Sequence, residues 1–194
     1  MHTPIAYLRV LYDKIYEKIT SIWHIHPPAT RIYGANPMIM HLSNLAEPVH
    51  KIDNFIYLGN GFDAADYATL STLGISDVVN ATQELRCYFD DLEYMKVDVL
   101  DNGDAHIRPF FEEFIAFIDK HKGKNILIHC YMGSSRSAAF VLLYLVTQYQ
   151  MTVDEALERI KNIRSIVNIN NNFIEDLRTY IASLHQVEVS NIVD

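Results

Sequence analysis

From about residue 52 onward, short runs of β-branched and aromatic residues alternate with longer stretches whose apolar positions recur every three or four residues. "NFIYLG" (54–59) and "SDVVNA" (76–81) predict strands, and "DAADYATLSTLG" (63–74) between them predicts a helix closed by Gly74. "EYMKVDVL" (93–100) predicts a third strand. The next stretch, "IRPFFEEFIAFIDKHKG" (107–123), places Ile107, Phe110, Phe111, Phe114, Phe117 and Ile118 on one helical face and stops at Gly123. "NILIH" (125–129) is a continuous apolar run, as expected of a strand covered on both faces. "SAAFVLLYLVTQY" (137–149) is apolar almost all round and predicts a central buried helix. "TVDEALERIKNIR" opens with Thr152 and Glu155 at capping-box spacing, and "NNFIEDLRTYIASLH" (171–185) carries Phe173, Leu177, Tyr180 or Ile181, and Leu184 on one stripe. Strands alternating with helices predict an α/β domain built on a mainly parallel sheet of four to five strands.

Ahead of this domain, Ile5, Leu8, Leu11 or Tyr12, Ile15, Ile19 and Ile22 recur at helical spacing, and "HIHPPATRIYGANP" then reads as an irregular connector. The expected organisation is an extension over 1–50, a domain over 51–187 and a short tail over 188–194. The extension's apolar stripe suits packing on the domain, pairing with a second copy, or docking to a partner. His24 and His26, beside two prolines, read as a solvated connector rather than a metal site.

The 194 residues, 49% hydrophobic and 21% charged, are enough for one domain with a real core. Sixteen Lys+Arg against 24 Asp+Glu give a formal charge of -8, which argues against nucleic acid and anionic membranes as partners. No membrane-spanning apolar run appears. Two cysteines, Cys87 and Cys130, make no disulfide framework and no zinc pattern, so a reducing compartment is expected, cytoplasmic or nuclear.

Cys130 stands where the buried strand gives way to the buried helix, the end of a parallel sheet at which ligands bind. A helix N-terminus and a neighbouring cation, Arg136, both favour its thiolate. The five residues Tyr131, Met132, Gly133, Ser134 and Ser135 between them have the length to curl into a nest of inward N–H groups, with Gly133 free to take a positive φ. Arg136 offers a fork for phosphate oxygens, Ser137 a hydroxyl for the sulfur, and His129 a hydrogen bond to orient the loop. Cys87 reads as a loop thiol; a redox pairing with Cys130 is the sharper alternative.

His129-Cys130-x-x-Gly133-x-x-Arg136-Ser137 resembles the signature of dual-specificity protein phosphatases, within the cysteine-based tyrosine phosphatase superfamily. The resemblance covers roughly 51–185, including "LGISDVVNAT", "VDVLDN" and "ALERIKNIRSIVNINNNFIEDL". It implies the cysteine-based phosphatase fold, a small atypical member without a targeting domain, and a general acid in "VDVLDNGDAHI". There Asp98, Asp101 and Asp104 compete. The resemblance favours Asp101, which matches the family's aspartate before Asn, although Asp98 stands where the family often has Pro.

The resemblance thus implies a metal-independent enzyme, with no cofactor, that cleaves phosphotyrosine and phosphoserine/threonine in proteins through a phosphocysteine. Two rivals keep the loop. One applies the same chemistry to a phosphoinositide or an RNA 5′ end, disfavoured by the absence of lysine from "YMGSS". The other is a catalytically silent phosphoprotein-binding module.

Overall fold

The computed structural model describes residues 47–192, with side chains through 184; the predicted N-terminal helix and connector lie outside them. Five strands form one sheet in the order β1 (His50–Lys51), β2 (Ile56–Gly59), β5 (Asn125–His129), β3 (Ile75–Asn80), β4 (Glu93–Lys96). β2, β5, β3 and β4 run parallel, and β1 pairs antiparallel with β2 at the edge. The mainly parallel α/β sheet expected from the alternating pattern is what forms.

Alternation along the strands divides the core. Tyr57, Val78 and Leu127 face one side, where Ala64 of α1 (Gly61–Ala65) and Leu70 of α2 (Tyr67–Thr72) cover them. Ile56, Leu58, Val79, Ile126 and Ile128 face the other. There they meet α3 (Phe111–Lys120), α4 (Arg136–Tyr149), α5 (Val153–Ile163) and α6 (Asn171–Ile192). α4 runs through the middle of that layer: residues 136–146 are all buried, as its unbroken apolar sequence predicts. Thr152 and Glu155 do form a capping box on α5. α6 continues past His185, where its apolar stripe ends.

Two predicted elements differ. The single helix expected over 63–74 is two, broken at Asp66, whose extended backbone (φ -99°, ψ 93°) lets its carboxylate cap Ala68 N of α2. α1 begins earlier than predicted because Asn60 and Asp63 form a capping box of their own. The third strand stops at Lys96 instead of Leu100. Its partner β3 ends at Asn80, whose carbonyl takes the Val97 N–H at 2.9 Å, and beyond that the sheet offers no further neighbour. Residues 97–107 are thereby released from the sheet to run past its carboxyl end.

Asp63 carries the cost of that early helix start. Burial raises its pKa to about 6, against the Asn60 N–H bond and the charge of Arg164, which both favour the carboxylate. Because the folded value lies above the unfolded one of about 4, the unfolded chain loses its proton first, so this group's contribution to stability falls as pH rises between the two values. Urea unfolding of Asp63→Asn beside wild type from about pH 4 to about pH 7 should show the difference moving in the variant's favour by on the order of 2 kcal/mol. A pH-independent difference would mean that the buried carboxyl titrates as in the unfolded chain.

Candidate active site

The loop from Cys130 to Ser135 joins β5 to α4, and its shape follows from where its carbonyls go. Each has a donor outside the loop's concave face. His129 Nδ1 lies 3.3 Å from Cys130 O, and Gly61 N–H donates to Tyr131 O at 3.0 Å. Arg164 donates through Nη2 to Met132 O at 3.1 Å and through Nε to Gly133 O at 2.8 Å. Asn168 N–H bonds Ser134 O at 2.9 Å, and Ala139 N–H bonds Ser135 O at 2.8 Å to begin α4. With every carbonyl drawn outward, the peptide N–H groups are left to the inside.

Gly133 makes the turn. Its φ is +70°, and a Cβ there would stand 2.5 Å from Gly59 O and 2.7 Å from Arg164 Nη2. Both the backbone conformation and the close approach require glycine. Arg164 is fully buried, and its Nη1 also binds Pro48 O at 2.5 Å and His50 Nδ1 at 3.0 Å, so the segment before β1 is tied to the back of the loop.

The Cys130 sulfur accepts from Ser137 Oγ at 3.1 Å and from Gly133 N–H at 3.3 Å. Burial alone would raise this thiol, but the Arg136 charge and the bonds from Ser137 and Gly133 outweigh it, and the net shift is downward. Both cysteines are free. Cys87 shows the contrast: desolvation raises its thiol, and the bonding and charge around it do not reverse that.

His129 is fully buried, and burial lowers its pKa to about 4, so it is a neutral imidazole near pH 7. Its Nδ1 faces a carbonyl, which fixes that nitrogen as the donor and makes His129 an orienting group for the loop.

Arg136 is 2% exposed. Its Nη1 is occupied by Glu84 Oε2 at 2.7 Å and Val99 O at 3.1 Å, whereas its buried Nε has no hydrogen-bond partner among the described residues. The fork read from sequence therefore has one arm spent on holding the side chain in place. Burial would raise Glu84, yet the bond and charge of Arg136 carry its carboxyl below the usual range. Glu84 was missed because nothing in "TQELRC" marks it; it reaches the site only through the loop after β3.

Of the three competing aspartates, the structure brings one to the loop. Asp101 Oδ1 accepts from Ser135 Oγ at 3.1 Å and from Asn170 Nδ2 at 3.4 Å. Asp98 turns outward to Lys96 Nζ at 2.8 Å, its side chain 67% exposed. Asp104 is exposed, with its N–H on Asn102 Oδ1. His106 bonds Asp176 Oδ1 at 2.8 Å rather than the loop. Tyr131 is buried against Leu85, and Met132 packs half-buried beside them. Among the described residues no three His, Cys, Asp or Glu side chains gather to hold a metal ion, and no helix is long and apolar enough to cross a membrane.

A cysteine sulfur in an N–H-lined loop, a buried guanidinium and a carboxyl across the opening form a cradle for a tetrahedral oxyanion. The chain is similar to known protein phosphatases. Protein phosphatase Slingshot homolog of Xenopus laevis is 34% identical over 148 residues, 75% of this chain and 21% of that protein. Dual specificity protein phosphatase 1 of Arabidopsis thaliana is 32% identical over 130 residues, 66% of each. The chain thus spans about a fifth of the Slingshot relative's length and less than two thirds of the other curated relatives named Slingshot. The crystal structure of DUSP15 superposes with a TM-score of 0.66 at 30% identity, covering 69% of this chain and 86% of that one. The family model described as dual specificity phosphatase, catalytic domain, matches residues 56–183, well over half the sequence, and the chain therefore belongs to that family.

Proposed function

We propose that the chain hydrolyses phosphotyrosine and phosphoserine/threonine in proteins through a phosphocysteine intermediate, within a catalytic domain spanning 51–187. The observation that carries this reading is the sulfur of Cys130, its thiol lowered, lying between Ser137 Oγ and Gly133 N–H and beside the charge of buried Arg136.

In the first step Cys130 Sγ attacks phosphorus and the bond to the substrate oxygen breaks. The inward N–H groups of Tyr131 to Ser135 and the free Nε edge of Arg136 take the non-bridging oxygens as charge spreads over them. Asp101 gives its proton to the departing oxygen, so the substrate leaves as a neutral hydroxyl. In the second step Asp101, now a carboxylate, takes a proton from water as that water attacks the phosphocysteine. The P–S bond breaks, inorganic phosphate is released, and Ser137 Oγ stabilises the sulfur leaving as thiolate. His129 takes no proton in either step, since it is neutral and bonded to the loop backbone.

Turnover of an aryl phosphate and of phosphotyrosine, phosphoserine and phosphothreonine peptides, beside a phosphoinositide in vesicles, tests the reaction and its substrate class together. Cys130→Ser should abolish turnover, and Asp101→Asn should lower it by about 10²- to 10⁴-fold. Wild-type protein that binds phosphopeptides without cleaving them would make the cradle a reader, and turnover confined to the lipid would move the substrate class. The two thiols should also separate by pH. With Cys130 shifted down and Cys87 up, iodoacetate at about pH 6 should carboxymethylate Cys130 first, with inorganic phosphate protecting it. Equal labelling of both would contradict a thiolate at Cys130.

A further inference from the structure

The segment between α5 and α6 touches both halves of the site at once. Asn168 N–H holds Ser134 O, and Asn170 N–H donates to Ser135 Oγ at 3.1 Å, so the hydroxyl that binds Asp101 is itself propped from behind. The Asn170 side chain then crosses to the other loop. Its Nδ2 donates to Asn102 O at 2.7 Å and makes a longer contact, 3.4 Å, to Asp101 Oδ1. Its Oδ1 accepts the Asn172 N–H at 3.0 Å. A backbone N–H on one side and a carbonyl on the other leave one orientation for that amide.

We propose that Asn170 is a positioning residue for Asp101, setting the acid's distance from the departing oxygen. The proposal rests on the reading of Asp101 as general acid. Both side-chain donors meet Asp101 at Oδ1, from Ser135 and from Asn170, which leaves Oδ2 as the oxygen to carry the proton. The acid lies on residues 97–107, which the sheet does not hold, so its position depends on such ties. Without the clamp on Asn102 O, the carboxyl is displaced along with its backbone, and an ångström of misplacement is enough to weaken proton transfer.

A rival role is purely structural, because Asn170 also caps the first turn of α6 through the Asn172 N–H. The two separate by leaving group. A proton donor matters for phenyl phosphate, whose phenolate leaves poorly, and much less for p-nitrophenyl phosphate. Asn170→Ala should lower kcat/KM for phenyl phosphate on the order of 10- to 100-fold and that for p-nitrophenyl phosphate by only about two- to threefold. Asn170→Asp keeps the acceptor that caps α6 and removes the donor, so it should show the same selective loss while the melting temperature stays near wild type. On an Asp101→Asn background, Asn170→Ala should add no further selective loss. Equal losses on both substrates, or a selective loss that persists without the Asp101 carboxyl, would overturn the proposal. Asp101→Asn run alone reports on the reading beneath it: a loss no greater for phenyl than for p-nitrophenyl phosphate would sink the acid assignment itself, whatever Asn170 does.

Discussion

A run of peptide groups can aim its N–H bonds at one point only if its carbonyls find donors elsewhere, and that requirement organises this protein. The loop 130–135 meets it with donors from five places: β5 through His129, α1 through Gly61, the end of α5 through Arg164, the segment after it through Asn168, and α4 through Ala139. An unmet buried carbonyl costs about 1–3 kcal/mol, so loss of any one support would favour a different loop path, with N–H groups turned out of the cradle. Arg164 bears the most, since it serves two consecutive carbonyls and anchors Pro48 and His50 on its far side. The edge strand β1 is thus joined to the Cys130–Ser135 loop through one guanidinium, which explains a charged side chain at zero exposure deep in the domain.

The same economy governs charge. The chain carries a formal -8, yet the proposed reaction brings a phosphate beside the Cys130 sulfur. Two buried guanidiniums, Arg136 and Arg164, and the amino end of α4 oppose that burden locally. Arg136 is not left to swing in this role. Glu84 and the Val99 carbonyl fix Nη1, so the remaining edge is already oriented and a ligand has little side-chain entropy to remove. Glu84 subtracts from the local positive charge in return for that fixed geometry, and burial of Arg136 keeps what remains from being screened by water.

How much of this could be read from sequence follows from how far apart the partners lie. β2, β3, β5 and α4 were legible because burial on both faces leaves a mostly apolar run, and Cys130, Gly133, Arg136 and Ser137 because their chemistry is packed into eight residues. The break at Asp66 was hidden, since an aspartate inside a helical pattern signals a cap only when the backbone before it is already extended. The end of β4 was hidden for a different reason: "VDVL" has strand composition, but the length of its neighbour β3 decides where pairing stops. Nothing local to Glu84, Arg164 or Asn170 told which groups they would bind. They stand 52, 31 and 35 residues from the groups they bind, and only the packing of the folded chain brings them there.

The early end of β4 also decides which aspartate reaches the loop. Had the strand run on to Leu100, residues 97–100 would have stayed in the sheet, with Asp98 and the loop after it held at the sheet's edge. Because pairing ends at Asn80, Val99 instead turns its carbonyl to Arg136, and Asp101 follows two residues later, within reach of Ser135. Asp98, still near the sheet, is taken by Lys96, whose Nζ also meets the Thr82 carbonyl. A strand shorter than its sequence suggests thus frees the loop that carries the carboxyl, and Asn170 and Asn172 hold that freed loop where β-pairing no longer does. One segment thus bonds both the loop after β5 and the loop that carries Asp101.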